Sequence, residues 1–380
     1  MCFSVVLSVS ACGSGARTEP AGKESETKPA LPVKYAKNFS VDSVGAFRVL
    51  TVRGSTSKTF RWVLMDSAAV RIGTIPEKLR GLPKLRLPVK RIAILSTTYL
   101  GYMELLGITD NVVATGNRKY IADSSYYRKS DSLHIPIVGD GAELSAELLF
   151  AAKPDAVLAF STGTDAYDAY PKLAPLRLPV VFTTEWLEAS PLAKAEWIKF
   201  FGVLSGCENR ADSLFDLMER DYLQVRARVN GSAAARPVVF TGTPGSGMWF
   251  ASGGRSYMAS LIRDAGGKYL WDSDTSAGTY TLPLERAFAE ARDADVWMNP
   301  GGWHSRGEGL AVERRIAFFR AWKQGEVLQY DGRRGPEGGL DFYEGAVVRP
   351  ADLLRDVARW LHPELFKDWS PVWYRKLSIL

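Results

Sequence analysis

Two glutamates carry the clearest chemical signal in this chain. Glu147 lies within the segment 144–158 and Glu285 within the segment 282–298, and the two segments share a pattern. In each, the Glu opens a short apolar helix, an Asp follows (Asp155, Asp295), and a strand-like run closes the unit; the second copy is two residues longer between Glu and Asp. A carboxylate in a first helical turn gains about 0.3–1 kcal/mol from the helix dipole, which explains one such Glu on its own. The same residue at the same place twice is better explained by a shared task, such as gripping a two-fold partner. A helix-to-strand unit repeated about 140 residues on predicts two similar α/β lobes, with a ligand held between them.

Other chemistry is sparse. The only cysteines are Cys2, Cys12 and Cys207 and the only histidines His134, His304 and His362, with no metal-ligand spacing among them. Gly242-Thr-Pro-Gly-Ser-Gly247 lacks the Gly-Lys-Ser/Thr ending of a phosphate loop and precedes a strand-like run, so it reads as a flexible loop at a strand's C-terminal end. Gly139-Asp-Gly141 has Leu144 where a dinucleotide fingerprint needs its third Gly. No Gly-x-Ser-x-Gly elbow and no paired-carboxylate or Ser/His/Asp set can be assembled. No enzymatic activity is expected, and no bound cofactor. Aromatic residues, in contrast, crowd the predicted loops: Tyr99, Tyr102, Tyr120, Trp186, Trp249, Tyr257, Tyr280, Trp303, Phe342 and Tyr343. Planar side chains on loops suit a bulky or flat ligand, while for any one of them core packing is an equal alternative. Arg255, Arg306, Arg333 and Arg334 fall in or near the later loops and could meet an anion; singly, each fits a solvated surface as well.

The 380 residues suffice for two domains, each with its own core. A net charge of +6 is modest for this length and the basic residues are scattered, which argues against nucleic acid as a partner. Met1–Ser10 is apolar, and Val9-Ser-Ala-Cys12-Gly13 brings small residues up to a Cys. This resembles a bacterial lipoprotein signal, with Cys12 the lipidated residue, although a positively charged start is absent. Residues 13–37 then read as a flexible tether. Location in the periplasm or cell envelope, held to the membrane by the lipid, follows as an expectation.

Strand and helix alternate through the rest. A hairpin (46–53 and 59–65) leads lobe one. Strands over 89–96, 111–115, 155–160 and 179–183 alternate with helices, the pattern of a parallel sheet covered on both faces. Helices over 192–204 and 209–229 follow; the second would be about 30 Å long. Lobe two repeats the alternation from Arg236 to a closing helix over 352–361, leaving an aromatic tail without assignment.

Together, Val89–Ser96 with Leu105-Leu-Gly107, the Glu147…Asp155 block, the long middle helix, Leu261–Gly267 and the Glu285…Asp295 block resemble the helical-backbone class of substrate-binding proteins. These serve ABC importers of iron chelates, haem and cobalamin. The resemblance spans roughly residues 89–365 and rests on the order of the blocks. It implies two Rossmann-like lobes with parallel sheets, joined by one long α-helix around a ligand cleft. The implied division is a signal (1–12), tether (13–37), hairpin extension (38–88), first lobe (89–190), helical spine (191–231), second lobe (232–366) and tail (367–380). It also implies a monomer that hands a ferric siderophore, haem or cobalamin, itself carrying any iron or cobalt, to a permease dimer. Glu147 and Glu285 would dock on that dimer. Tyr99, Trp249, Tyr280 and Asp341-Phe342-Tyr343-Glu344 would lie near the cleft, and Tyr120, Tyr257 or His304 could ligate a haem iron. The aromatic that cobalamin binders carry before the first docking Glu is missing; Gly139-Asp-Gly141 stands there. A chelatase-like enzyme acting on a tetrapyrrole, and a surface lipoprotein without a small ligand, remain alternatives.

Overall fold

A computed structural model describes residues 28–55, 58–139, 143–162, 173 and 176–378. Cys12, the signal and most of the tether lie outside them, as do Asp140 and Gly141 and most of the helix expected over 167–176.

Lobe one is built on four parallel strands: β6 (Ile92–Ile94), β7 (Val112–Thr115), β8 (Ala156–Phe160) and β9 (Val180–Thr183), in the order β7-β6-β8-β9. Lobe two repeats it with β10 (Val238–Thr241), β13 (Lys268–Tyr269), β15 (Val296–Met298) and β16 (Val327–Gln329), in the order β13-β10-β15-β16. In both sheets the first strand has the second on one side and the third on the other. The chain therefore reverses direction beside the first strand, and the crevice at that reversal is where such sheets bind ligands. These strands are almost wholly buried, which is why they read as continuous apolar runs rather than alternating ones.

The repeated segment has a structural half. Asp155 and Asp295 stand just before β8 and β15, strands in equivalent positions. The Asp155 carboxylate accepts from the backbone N–H of Lys90 (3.1 Å) and Arg91 (2.9 Å), and that of Asp295 accepts from Val238 N–H at 2.7 Å. Each Asp pins the entry of its lobe's first strand.

The long helix Glu208–Asn230 is the joint. Its first half sends Ala211 and Phe215 into the core of lobe one, its second half Tyr222, Val225 and Val229 into that of lobe two. The single helix expected over 192–204 is two, Pro191–Ala195 and Ile198–Ser205, and Trp197, Phe200, Phe201 and Leu204 are buried as their spacing predicts.

Three regions depart from expectation. The hairpin extension is a five-stranded sheet, β1 (Lys28–Pro29), β2 (Phe39–Val44), β3 (Phe47–Arg53), β4 (Thr59–Met65) and β5 (Lys84–Arg86). Phe39, Leu50, Trp62 and Leu64 share the core of lobe one, so this sheet is a flank of that lobe. Gly242–Gly247 is not a loop: β11 (Thr243–Gly245) pairs antiparallel with β12 (Met248–Ser252), which pairs with β14 (Thr279–Pro283). Ser246 and Gly247 both have positive φ (50° and 75°), the turn that matches the twist of a tight hairpin. The tail supplies β17 (Arg375–Lys376), antiparallel to β16. It is held by Asp356, whose carboxylate accepts from Val372, Trp373 and Tyr374 N–H and from Trp369 Nε1.

Candidate functional site

A cavity of about 410 Å³ opens between the lobes. Lobe one contributes the segments just past three strand ends: Leu95, Ser96, Thr97 and Thr98 after β6, Asn117 and Tyr120 after β7, and Phe160 at the end of β8. Lobe two contributes Arg334, Gly338, Gly339, Leu340 and Tyr343 from the loop that follows β16. Among the described residues, Arg334 is the one formal charge in this lining. Thr97 and Thr98 precede the helix Tyr99–Leu106, so the positive end of a helix dipole also faces the cavity.

Arg334 is held from behind. Its Nη2 donates to Asp331 Oδ2 (2.8 Å) and lies 3.1 Å from His304 Nδ1, while Arg375 binds the same carboxylate through Nε at 2.7 Å. Asp331 is buried, which pushes its carboxyl up, but Arg375, Arg334 and His304 together outweigh burial and hold it below the ordinary range. Two guanidinium groups share one carboxylate, leaving the cluster cationic. Tyr120 and Tyr343 are about half exposed, and the Lys119 ammonium lies 4.8 Å above the Tyr120 ring.

The loop from lobe two is clasped to lobe one. The Glu344 carboxylate accepts from the N–H groups of Ala122 (3.0 Å) and Asp123 (2.8 Å). Glu337 accepts from the Tyr127 hydroxyl and pairs with Arg118 at 3.5 Å. Backbones meet directly: a Cβ on Gly335 would overlap the Ile121 carbonyl oxygen, and one on Gly339 the Tyr120 carbonyl. Gly339→Ala is therefore expected to cost about 1–3 kcal/mol by forcing the lobes apart, read as a lower urea midpoint.

The sequence pattern of the periplasmic binding protein family matches residues 92–333. That stretch is well over half of the chain. The chain belongs to the periplasmic binding protein family. Two lipoproteins of Methanocaldococcus jannaschii, themselves uncharacterised, resemble it. One is 24% identical over 306 residues, 78% of this chain and 70% of the relative; the other is 25% identical over 368 residues, 92% and 88%. Among solved structures, a periplasmic heme-binding protein from Pseudomonas aeruginosa superposes with a TM-score of 0.57 at 18% identity, covering 76% of this chain and 98% of that one. A possible iron-binding periplasmic protein from Staphylococcus epidermidis gives 0.56 at 17% (72% and 99%), and an Fe3+-hydroxamate transport protein from Saccharomonospora viridis 0.54 at 20% (72% and 94%). Identities this low show the shared two-lobed fold alone.

In this binding protein the expected ligand residues divide. Tyr120 and Tyr343 line the cavity, and His304 stands behind Arg334. Tyr99, Tyr102 and Trp249 do not face it. They are fully buried, with Tyr99 hydroxyl to Thr183 Oγ1 (2.7 Å), Tyr102 hydroxyl to the Lys194 carbonyl (2.8 Å) and Trp249 Nε1 to the Thr241 carbonyl (3.0 Å). Aromatic residues this large find core hydrogen-bond partners as readily as ligands. Trp303 packs edge-on against Trp297, and Phe342 is buried against Tyr330 and Tyr374. Asp341 accepts from Trp373 Nε1 and Gly345 N–H, a structural post. Tyr280 packs on Trp271, Arg255 is exposed, and Trp186 is half exposed on the turn after β9; none of the three belongs to the cavity lining. Tyr257 lies between the lobes beneath Lys194, at 5.5 Å. Among the described residues no group of three or more His, Cys, Asp or Glu is placed to hold a metal ion.

Ser96, Thr98, Asn117 and Phe160 were not foreseeable as lining from residue type; only their places past the ends of β6, β7 and β8 mark them. Arg334 differs, being one of the arginines whose anion-binding potential is visible in the sequence.

Glu147 and Glu285 are exposed in the first turns of Ala146–Ala151 and Leu284–Ala291. Exposed apolar side chains attend each: Leu148 and Phe150 beside Glu147, and Phe318 with Glu285 in a surface hollow of about 500 Å³. Glu285 also lies 3.6 Å from Arg315.

Proposed function

We propose that this periplasmic binding protein captures an anionic iron complex, a ferric siderophore or haem, in the inter-lobe cavity and delivers it to an ABC importer. The observation that carries the reading is the cavity's charge: one guanidinium, braced by a buried carboxylate and a second Arg, a helix N-terminus opposite, and two half-exposed tyrosines. Ligand pockets span about 300–1,000 Å³, so a cavity of about 410 Å³ suits a compact chelate better than cobalamin, the bulkiest cargo of the class. The names of the Pseudomonas, Staphylococcus and Saccharomonospora proteins agree with that cargo. The Tyr120 hydroxyl is the one offered to a ferric centre, because burial and the hydrogen-bonded Tyr330 push the pKa of the Tyr343 hydroxyl up; the His304 Nδ1 is engaged with Arg334 and Asp331. Thermal-shift and absorbance titrations with haemin, ferric siderophores and cobalamin test the reading. Arg334→Met should weaken the ligand that binds by about ten- to a hundredfold, the loss of a charged hydrogen bond.

Membership in the family and lipoprotein relatives support a location in the cell envelope, and a lipid on Cys12 would tether the protein there. Glu147 and Glu285, on topologically equivalent helices and each beside exposed apolar side chains, would dock on a cationic permease rim. The double replacement Glu147→Ala with Glu285→Ala is expected to abolish capture by permease-bearing vesicles without altering ligand affinity. Unchanged capture contradicts the docking role.

A further inference from the structure

Charge is not shared evenly over the molecule. Residues 38–88 hold nine Lys and Arg against three Asp and Glu, a surplus equal to the +6 of the whole chain, so the rest is neutral overall. The fold gathers much of this surplus on one face. Along β4, Arg61, Val63 and Met65 alternate with Trp62 and Leu64, which enter the lobe-one core, and so stand on the other side of the sheet. Val63 pairs with Lys84 and Met65 with Arg86, which puts both basic side chains on that outer side, with Leu85 between them turned inward. The short helices Ser67–Ile72 and Glu77–Arg80 lie over the same side, where their Ala69 and Leu79 pack with Val49 and Val63. They add Arg71 and Arg80, and on either side of Arg71 the side chains of Val70 and Ile72 are 55% and 45% exposed. Asp66 is already taken by the N–H groups of Ala68 and Ala69 and by Arg48 at 3.2 Å. Among the described residues no carboxylate is in ion-pair contact with Arg61, Arg71, Arg80, Lys84 or Arg86. Arg61 and Lys84 also line a hollow of about 600 Å³ with Phe60, Leu82 and Arg177, and its described lining holds no carboxylate either.

We propose that this outer face of the five-stranded sheet docks on an anionic phospholipid surface, its basic side chains meeting headgroup phosphates while Val70 and Ile72 enter the boundary beneath them. Both halves of the pattern decide the partner. Guanidinium and ammonium groups alone suit any polyanion. Exposed aliphatic side chains among them suit a bilayer, which offers negative charge and an apolar layer within one side chain's length. The family pattern starts at residue 92, so this face is an addition to the lobes that bind solute. Its place in the chain agrees. Cys12 stands sixteen residues before Lys28, where β1 begins, and a chain of that length extends over at most about 55 Å. A lipid on Cys12 would keep the sheet near the membrane, where a weak electrostatic contact gains from high local concentration. The inference rests on the envelope location and not on the cargo.

The test sediments the full chain, carrying Cys12→Ser so that no lipid contributes, with vesicles of phosphatidylcholine alone or mixed with an equal part of phosphatidylglycerol. Binding to the mixed vesicles, little to phosphatidylcholine, and loss in high salt are expected. Arg61→Gln with Lys84→Gln and Arg86→Gln should raise the lipid needed for half-binding at least about tenfold, each basic residue near such a surface being worth about fivefold. Val70→Ser with Ile72→Ser should raise it several-fold while leaving binding to inorganic polyphosphate unchanged. All five side chains are exposed, so the variants keep the fold; residues 1–27 are common to every sample and cancel from the comparison. Equal binding to both vesicle types, or either variant binding as the unaltered face does, overturns the proposal. Capture of polyphosphate without capture of vesicles also overturns it and makes the face a site for a soluble polyanion. No iron complex takes part, so this proposal and the cargo reading stand or fall separately.

Discussion

Glu196→Ala is expected to cost about 3–5 kcal/mol and to free the N-terminal segment from lobe one. Glu196 is fully buried and accepts three backbone N–H bonds from a passing strand of chain: Lys34 (2.8 Å), Tyr35 (2.7 Å) and Ala36 (2.9 Å). It also lies 3.7 Å from the buried Lys199 ammonium, which donates to the Pro32 carbonyl at 2.9 Å. Alanine strands three main-chain donors that have no other place to turn and takes from Lys199 one of two carboxylates, leaving it the Pro32 carbonyl and Asp212. Glu188 continues the clamp on Lys37 and Asn38 N–H and accepts from Trp197 Nε1 at 3.0 Å. The effect should exceed that of deleting the exposed pair Lys34–Glu219 by several-fold, since exposed pairs contribute about 0–1 kcal/mol. A urea midpoint and the rate of proteolysis near residues 30–38 read it out. If the segment resists protease as before, the clamp is not what holds it.

The second large effect is a pH dependence centred on the clasp between the lobes. Burial pushes the Glu344 carboxyl from the ordinary 4.5 to about 8, with Asp341 and Asp123 adding to the rise and the Ala122 and Asp123 N–H groups opposing it. The folded chain thus holds this proton more tightly than the unfolded chain does. The contribution to stability is fully present below about pH 4.5, declines as pH rises, and is gone above about pH 8. At about 1.4 kcal/mol per pKa unit, the span is roughly 4–5 kcal/mol at most. Glu188 and Asp356, also raised chiefly by burial, slope the same way, so the difference between wild type and Glu344→Ala isolates the clasp. Near pH 5 the variant should be less stable by about 2–4 kcal/mol, two N–H groups having lost their acceptor. Above pH 8 the gap should narrow. A gap independent of pH would mean that Glu344 does not titrate in this range.

These carboxylates explain what the sequence conceals. The two-lobed plan is readable because parallel strands buried on both faces must be apolar runs, as in Val180–Thr183 and Val238–Thr241, and because the spine helix shows its apolar spacing. The duplicated Glu and Asp are readable as a repeat, though only the structure separates them into a surface Glu and an Asp that pins a strand. Glu196, Glu344 and Asp356 look like solvated charges in helical or loop sequence. Their task is to satisfy the N–H groups of chain that has no strand partner, and that depends on segments 16 to 222 residues away. Aromatic residues divide as site markers for a related reason: Tyr120 and Tyr343 line the cavity, whereas Tyr99 and Trp249 have buried hydrogen-bond partners. The tail is unreadable because β17 is two residues long; its buried Trp373 and Tyr374 are the one hint of an attached strand.

The central claim is that the cavity between the lobes holds one anionic iron complex against Arg334. Equilibrium titration of tryptophan fluorescence with haemin and with a ferric siderophore, for wild type and Arg334→Met side by side, tests it most directly. One complex bound per chain, weakened at least about tenfold in the variant, is the predicted result. Binding of neither complex, or binding that Arg334→Met leaves unchanged, would contradict it.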